Sequence, residues 1–207
     1  SHRKALLAYS GGKFDNELIP IKINTEVTVT KDDGPREPNE EKIKSLAPAF
    51  LEEGSITAAT SSPISVGASA LLIGNESFCE ANDLKPRAEI ISRAIAGVHW
   101  DRMGMGPLPA VEKALQKAKL GIEDIETIEL NEAFAAQALY VIRKGGWDQN
   151  KINLNGGAIA LGHPLGCSGA RILTTLINAM EQNSTSLGMA TMCIGSGQGI
   201  ATIIKRV

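Results

Sequence analysis

The chain has 207 residues, of which 43% are hydrophobic and 21% charged, so it can bury the core of one large domain or two small ones. Its formal charge of −2 and the absence of a Lys/Arg block argue against a nucleic-acid or membrane-surface binder, whose affinity depends on concentrated positive charge. No apolar run approaches the roughly 20 residues that a membrane span needs, and residues 1–4 lead into no signal-peptide core, so we expect a cytoplasmic protein without a membrane span.

The first third of the chain is predicted to contain short elements separated by loops. Residues 26–44 are charged and rich in Pro and Gly, which indicates a loop excursion that ends near Phe50. An apolar run at residues 68–73 is predicted to be a buried strand, although its periodicity also fits a helix. The other predicted elements are a helix at 1–9 that begins without an N-cap, as if within a domain, strands at 18–23 and 55–57, and a helix from the cap Asn75 to Asp83.

From Pro86 onward, strands and helices alternate regularly. The predicted strands cover residues 88–98, 127–130, 152–154, 187–193 and 199–206, and the predicted helices cover 107–119, 132–144 and 167–181. A glycine-rich turn joins the last two strands into a hairpin. This order predicts an α/β fold in which helices cover a mixed five-stranded sheet.

The three cysteines, Cys79, Cys167 and Cys193, cannot all pair and show no metal-ligand spacing. A disulfide framework or a metal site is therefore not expected. At least one of the three is a candidate for a working thiol, and Cys167 at the start of a predicted helix is placed where the helix dipole could lower its pKa.

A histidine lies in a restrained loop before the helix at 167–181. Pro164 fixes the backbone and favours an extended conformation at His163, which aims the imidazole. Histidine is the side chain best suited to proton transfer near neutral pH, and the free N–H groups of the following helix could receive an anion. A purely structural loop histidine explains the tripeptide Gly-His-Pro equally well.

Two further loops carry candidate functional groups at strand ends. Cys193 ends a strand and is followed by glycines that would let a ligand reach backbone N–H groups, an arrangement that can combine a thiol acid/base with an oxyanion hole. An inert buried cysteine before a glycine hairpin is the alternative. Asn131 follows the strand at 127–130, a usual place for functional side chains in α/β sheets, but it could equally be the N-cap of the next helix.

Taken together, these three segments resemble the carboxyl-terminal motifs of the thiolase family in order and spacing. The segments are residues 131–137 (Asn-Glu-Ala-Phe-Ala-Ala-Gln), 153–164 (Asn-Leu-Asn-Gly-Gly-Ala-Ile-Ala-Leu-Gly-His-Pro) and 193–199 (Cys-Ile-Gly-Ser-Gly-Gln-Gly). The resemblance extends from Phe14 to Val207. Residues 57–62 and 190–193 are most similar to the 3-ketoacyl-CoA thiolase subunits of bacterial fatty-acid oxidation complexes.

The resemblance implies an acyltransferase that cleaves 3-ketoacyl-CoA with CoA, or runs the reverse Claisen condensation, in fatty-acid degradation. It implies no cofactor, because CoA is a substrate. Cys193 would be the acid/base thiol, His163 would activate the nucleophilic cysteine, Asn131 would hold a water that stabilises the thioester oxygen together with His163, and the N–H of Gly195 would belong to a second oxyanion hole. The residues expected to line the pocket or to contact CoA are Phe134, Met103, Ser62, Ala58 and Phe50, with Arg36 as the candidate arginine for the CoA phosphate.

The resemblance covers only the carboxyl-terminal half of a thiolase. The nucleophilic cysteine of the family belongs to the amino-terminal half, and none of the three cysteines stands in its motif. The implied fold is a layered α/β/α thiolase fold with an incomplete first core domain. We expect the end of a loop subdomain at residues 1–53, a remnant of the first core domain at 54–83 and the second core domain at 84–207.

One departure from the family pattern stands beside the site. Where thiolases usually have an acidic residue in the segment Ser/Asn-Asp-Gly-Ala, this chain has Val66, so we expect a buried hydrogen-bond network to be lost there. His2 and His99 belong to no motif and are expected at the surface or between domains.

Three functional interpretations remain open from the sequence. The chain could be part of an enzyme that needs the missing amino-terminal half, with a homo-oligomer or a fatty-acid oxidation multienzyme complex as the assembly. It could instead be a catalytically inactive truncated or cleaved fragment with at most CoA binding. A ketoacyl synthase relative is the third interpretation, but the segment at residues 193–199 is not typical of that class.

Overall fold

Short elements joined by irregular segments make up the first 83 residues of the computed structural model, which describes residues 1–207. Only Ala5, Ala8 and Phe14 are buried in this part of the chain. The elements are α1 (His2–Ser10), β1 (Ile21–Lys22), β2 (Thr28–Val29), α2 (Glu40–Ser45), a 3-10 turn (Ala58–Thr60) and α3 (Glu76–Ala81). The strands β1 and β2 form a small antiparallel hairpin of their own.

The predicted strands of this part are largely wrong. The strand expected at 18–23 is reduced to β1, and residues 55–57 and 68–73 form no strand. Leu72 and Ile73 are 75% and 69% exposed, so the segment at 68–73 is not buried either. The physical reason is that no strand of this chain lies beside it, and an extended segment without a neighbour cannot pair its backbone groups. The helix after Asn75 is confirmed, because Asn75 Oδ1 accepts from the N–H of Phe78.

Helices and strands alternate in the remainder as the sequence predicts. The strands are β3 (Ala88–Gly97), β4 (Thr127–Leu130), β5 (Leu187–Ile194) and β6 (Gln198–Arg206), and the helices are α4 (Pro107–Ala118), α5 (Ala135–Gly145), α6 (Ala158–Leu161) and α7 (Ser168–Asn183). Three 3-10 helices connect them at Trp100–Met105, Ile122–Asp124 and Gln149–Lys151. Helix α5 begins three residues later than predicted, with Phe134 as its N-cap, so the N-cap alternative for Asn131 is wrong.

A mixed sheet with the strand order β3-β6-β5-β4 lies between two helical layers. Strand β6 is antiparallel to both β3 and β5, while β4 is parallel to β5. One core contains α4 and α5 against side chains such as Met189 and Ile203, and the opposite core contains α7 against Ala190 and Ile204. Successive side chains of a strand point to opposite faces of the sheet, so Met189 and Ala190 lie in opposite cores, as do Ile203 and Ile204. The layered α/β fold is confirmed.

The sheet has four strands rather than five. The predicted strand at 152–154 is reduced to one isolated parallel bridge between Ile152 and Ile128. Asn153, at φ 47°, turns away and uses its side-chain amide in place of a strand: its Oδ1 accepts from the N–H of Leu130 at 2.9 Å, and its Nδ2 donates to the carbonyl of Leu130 at 2.9 Å. The outer edge of β4 is thus satisfied without a fifth strand.

None of the helices combines the length and the apolar character needed to cross a membrane. The three-part division into residues 1–53, 54–83 and 84–207 stays a prediction.

Candidate active site

Asn131 and Cys193 leave the sheet at the same edge. Leu130 pairs with Thr191 in the parallel ladder of β4 and β5, and the N–H of Asn131 donates to the carbonyl of Thr191 at 3.0 Å. Cys193 follows two residues later on β5. Because parallel strands end together, Asn131 and Cys193 both lie near the carboxyl ends of β4 and β5, where α/β folds usually hold their ligands.

His163 reaches this edge from the loop between α6 and α7. Gly162 precedes it at φ 98°, a conformation that side chains rarely adopt, and a Cβ there would lie 2.6 Å from Ser65 Oγ. That close approach lets Ser65 Oγ accept from the backbone N–H of His163 at 3.0 Å. Glycine is therefore required before the histidine, and the backbone of His163 is held as well as its ring.

The imidazole of His163 is bound at both nitrogens. Its Nδ1 lies 2.6 Å from Ser168 Oγ, and its Nε2 lies 3.3 Å from Asn131 Nδ2. Ser168 Oγ donates to the carbonyl of Pro164 at 3.0 Å, so its lone pair is free to accept from His163 Nδ1–H. This network assigns the proton to Nδ1 and leaves Nε2 as the acceptor, on the basis of the hydrogen bonds rather than of visible hydrogens.

The surroundings keep this imidazole neutral. Burial lowers the pKa of His163, and the positive charge of Arg171 lowers it further. A neutral ring with an unprotonated Nε2 can accept a proton at neutral pH. The geometry therefore supports the prediction of a base at His163 more than that of an inert loop histidine.

Cys193 is a buried thiol. It is 4% exposed, and burial raises its pKa, so the sulfur is protonated at neutral pH and can donate a proton before it accepts one. Cys167, the N-cap of α7, also has its pKa raised by burial, and this effect outweighs the attraction of Arg171. The lowered pKa considered for Cys167 from the helix dipole is therefore wrong.

Asn131 combines complete burial with an unused acceptor. Its exposed fraction is 0%, and its Oδ1 has no hydrogen-bond partner in the protein. A buried amide oxygen without a partner carries a desolvation cost, which a donor bound at the site would remove. This observation is compatible with the predicted role of Asn131 in holding a water.

The glycines after Cys193 serve different purposes. A Cβ at Gly195 would meet nothing within 4 Å, whereas a Cβ at Gly197 would lie 2.4 Å from the carbonyl oxygen of Val98 and one at Gly199 would lie 2.0 Å from that of Gly106. Gly197 and Gly199 thus permit close packing within the protein. Of these three glycines only Gly195 has open space at the Cβ position, and its role as an oxyanion donor stays a prediction.

Three of the predicted binding residues meet beside the start of α5. The rings of Phe50 and Phe134 pack edge to face with centroids 6.2 Å apart. The N–H of Ser62 donates to the carbonyl of Ala133 at 3.0 Å, and its Oγ donates to the same oxygen at 3.1 Å. This hydrogen bonding attaches the segment around residue 62 to the segment that carries Phe134.

The remaining predicted residues lie on neighbouring segments. Ala58 begins the 3-10 turn Ala58–Thr60, and Met103 is half-buried in the 3-10 helix that packs against α5. Arg36 is exposed and donates to the carbonyl of Gly34, so its predicted contact with a phosphate stays a prediction. Val66 is fully exposed, so its position is not buried in this chain, and the expected loss of a buried hydrogen-bond network there stays a prediction.

Residue types alone did not indicate Ser65 and Ser168, which bind the backbone and the ring of His163. They also did not indicate the neighbouring contact between Glu129 and Arg171, in which Oε2 and Nη1 lie 3.5 Å apart. A serine five residues after His163, in the first turn of a helix, was a usable signal. The role of Ser65 could not be predicted from the sequence, because Ser65 and His163 are 98 residues apart in the chain.

A neutral imidazole, a protonated thiol and an exposed glycine thus follow one another at or near the carboxyl ends of the parallel strands of a mixed α/β sheet. Two family models, described as the N-terminal and the C-terminal domain of thiolase, match residues 1–77 and 84–206. The chain belongs to the thiolase family. This assignment favours the thiolase interpretation over that of a ketoacyl synthase.

Individual relatives agree with this assignment. The chain is 54% identical over 219 residues to a 3-ketoacyl-CoA thiolase of Acinetobacter baumannii and 54% identical over 215 residues to one of Psychrobacter cryohalolentis, with 100% of this chain and 55% of each relative covered. The solved structure of the Bacillus anthracis acetyl-CoA acetyltransferase superposes with a TM-score of 0.96 at 39% identity, covering 100% of this chain and 54% of that one. Human mitochondrial 3-ketoacyl-CoA thiolase in complex with CoA superposes with a TM-score of 0.93 at 36% identity, covering 100% and 52%. The chain thus spans about half the length of the relatives it matches.

Proposed function

We propose that this chain supplies the acid/base half of a 3-ketoacyl-CoA thiolase. The observation that carries the proposal is the hydrogen-bonded His163, held by Ser168 and Asn131 at the same sheet edge as Cys193. The substrates are a 3-ketoacyl-CoA and CoA, and the reaction belongs to fatty-acid degradation in the cytoplasm. No cofactor is needed, since every proposed step is a proton transfer or an acyl transfer.

The proposed roles follow from the protonation states of the groups. Nε2 of His163 accepts the proton of the nucleophilic cysteine, which comes from the amino-terminal half of the enzyme. The thiolate attacks the 3-keto carbon, the bond between the 2- and 3-carbons breaks, and the electron pair moves into the enolate of acetyl-CoA. Nε2–H of His163 and a water on Asn131 stabilise the enolate oxygen, and the thiol of Cys193 donates its proton to the carbon. The thiolate of Cys193 then takes the proton of the CoA thiol, and the CoA sulfur attacks the acyl carbon, with the N–H of Gly195 as donor to the acyl oxygen. The bond from the acyl carbon to the nucleophilic cysteine breaks, and that cysteine regains its proton from Nε2–H of His163.

The proposed acyl-CoA pocket lies where Phe50, Ser62 and Phe134 meet. Its apolar rings suit an acyl or pantetheine chain, and Ala58 and Met103 lie on segments that adjoin it. We propose Arg36 as a contact for a phosphate of CoA because its guanidinium is exposed and keeps no acidic partner.

The partner that completes this site is the amino-terminal half of a thiolase. The two most exposed large apolar side chains, Ile64 and Val66, lie in the same extended segment as Leu72 and Ile73. An unpaired apolar segment of this kind is typical of a surface that a further chain covers. A homo-oligomer, or a place in a fatty-acid oxidation complex, would build on that assembly.

The alternative is an inactive fragment with at most CoA binding. It is favoured by one observation: burial raises the pKa of both Cys167 and Cys193, so neither buried thiol is activated as a nucleophile. Cys79 lies on α3, outside the site.

Thiolysis of acetoacetyl-CoA distinguishes the two functions. The chain alone is expected to be inactive, and activity is expected to appear when the amino-terminal half of a bacterial 3-ketoacyl-CoA thiolase is co-expressed with it. His163→Ala or Cys193→Ala should each abolish that activity, whereas Cys79→Ala, a matched control outside the site, should not. An assembled but inactive complex supports the inactive-fragment alternative, and unchanged activity of either site variant refutes the assigned roles.

A further inference from the structure

The two nitrogens of His163 are held by two separate elements of the fold. Ser168, which binds Nδ1, is the first residue of α7, and Asn131, which binds Nε2, follows directly after β4. The imidazole can bridge both partners only while the start of α7 and the end of β4 keep a fixed spacing. Something in the protein must set that spacing.

One contact between a guanidinium and a carboxyl group joins these same two elements. Arg171 Nη1 on α7 lies 3.5 Å from Glu129 Oε2 on β4, and no other contact of this kind links the two. Arg171 is three residues after Ser168 and so shares its helix face, while Glu129 is two residues before Asn131 and so shares its side of the strand. The pair therefore lies directly behind the two residues that hold His163.

This pair is poorly suited to a purely stabilising role. Glu129 is 1% exposed and Arg171 18%, yet Nε and Nη1 of Arg171 and Oε1 of Glu129 have no hydrogen-bond partner. A buried pair with incomplete hydrogen bonding recovers its desolvation cost badly, and apolar residues of similar size are often as stable. Stability alone therefore does not explain why these two side chains meet here.

Among the charged groups around the pair, Arg171 is the one that shifts the pKa of the imidazole. Arg171 lowers the pKa of His163, and no other charged group contributes appreciably to that shift. Glu17, Glu132, Lys4 and Arg171 all face Glu129, but burial dominates and raises its pKa to about 8. At neutral pH Glu129 is therefore mostly protonated, and the positive charge of Arg171 is left to act on the ring.

We propose that Arg171, through its contact with Glu129, is a positioning residue. It helps to keep α7 and β4 at the spacing at which Ser168 and Asn131 fix one orientation and one tautomer of His163. Arg171 does not touch the substrate and acts only through the histidine. The inference deepens the proposed function, because it explains how a base would be kept ready at that site.

Nuclear magnetic resonance of the whole chain with labelled histidine tests this role without any need for activity. Three histidines give three ring signals, and the nitrogen shifts report both tautomer and pKa. Arg171→Met is expected to raise the pKa of His163 and to replace the single Nδ1–H tautomer by a mixture. The matched control is Arg87→Met, which removes an arginine bound to Glu181 near the other end of α7 and should leave both signals of His163 unchanged.

Two further variants test the role of Arg171. Arg171→Lys keeps the positive charge but has a shorter side chain without the guanidinium group. The pKa of His163 should therefore stay low while its tautomer becomes mixed. Glu129→Gln should resemble the parent at pH 7, because the carboxyl is already mostly protonated there. A folded Arg171→Met with an unchanged pKa and tautomer overturns the proposal; if that variant does not fold, an unchanged tautomer in Arg171→Lys overturns it.

The histidine resonances and the thiolysis assay test the positioning role and the proposed activity independently. If the assembled enzyme shows no thiolysis but Arg171→Met still alters the tautomer of His163, the positioning role stands and the activity fails. If thiolysis is present and the tautomer does not respond to Arg171, the activity stands and the positioning role fails.

Discussion

His163 Nδ1 lies 2.6 Å from Ser168 Oγ, and this hydrogen bond determines which ring nitrogen carries no proton. Because the serine hydroxyl donates onward to Pro164, it can only accept from the imidazole. Nε2 thus becomes the basic atom at the edge of the sheet where Asn131 and Cys193 lie. The residue that selects the tautomer is itself fully buried in the first turn of α7.

Ser168→Ala is expected to destabilise the chain and to release the tautomer. The variant leaves Nδ1–H without an acceptor, at a cost of about 1–3 kcal/mol for a buried donor. Urea unfolding would measure the loss, and ring nitrogen shifts would show a mixture of tautomers. Ser45→Ala, on exposed helix α2, should change neither. Retention of a single Nδ1–H tautomer in Ser168→Ala would rule out the proposed network.

Asn153→Ala is expected to cost roughly 3 kcal/mol of unfolding free energy. The variant loses two buried hydrogen bonds to Leu130 and places alanine at φ 47°. Asn153→Gly tolerates that φ but still lacks the amide, so the difference between the two variants measures the backbone strain. If both match the exposed control Asn150→Ala in urea unfolding, the side chain of Asn153 does not replace a strand.

Alanine at Gly195 and at Gly199 should have opposite consequences for folding. At Gly195 the new Cβ meets open space, so stability should change by no more than about 0.5 kcal/mol. At Gly199 it would lie 2.0 Å from the carbonyl oxygen of Gly106, and the overpacking should cost roughly 1–3 kcal/mol or more. Thermal unfolding of the two variants makes the comparison, and equal stabilities would contradict the separate roles of these glycines.

The stability of the chain is expected to fall between about pH 5 and pH 8, in part through Glu129. Burial raises its folded-state pKa to about 8, above the unfolded value of 4.5, so the folded protein retains a proton that the unfolded chain releases. Each pH unit in this window costs about 1.4 kcal/mol for one such group, and the contribution is fully present only below the unfolded pKa. Glu129→Gln should therefore show a shallower decline in urea unfolding from pH 5 to 8. Parallel pH profiles for parent and variant would show that Glu129 is not the group.

The isolated chain is expected to associate or to leave residues 1–83 poorly protected from hydrogen exchange. The exposed side chains of Leu72 and Ile73, on a segment without a strand partner, favour association. Light scattering and exchange mass spectrometry measure both properties, and Leu72→Ser with Ile73→Ser should reduce the association. A monodisperse parent whose amides at 64–73 are strongly protected would contradict this expectation.

Much of the second half could be predicted because its patterns are local. Strand β4 has the predicted bounds, and α4 begins at Pro107 as expected, since apolar periodicity and proline at the first helical position depend on neighbouring residues only. The motifs around Asn131, His163 and Cys193 are likewise contiguous in sequence, and they indicate the thiolase family without any knowledge of tertiary contacts.

Tertiary structure alone decided the features that depend on distant partners. Residues 68–73 have the composition of a buried strand but none of them is buried, because a strand needs a neighbour that the local sequence does not specify. Likewise, the side chain of Asn153 binds the edge of β4 where a fifth strand was predicted. Ser65 binds the backbone of His163 and Arg171 lowers its pKa, although Ser65 is distant in the sequence. Local propensity determined which segments of this protein are regular, whereas long-range packing determined which of them pair and which ring nitrogen of its histidine carries the proton.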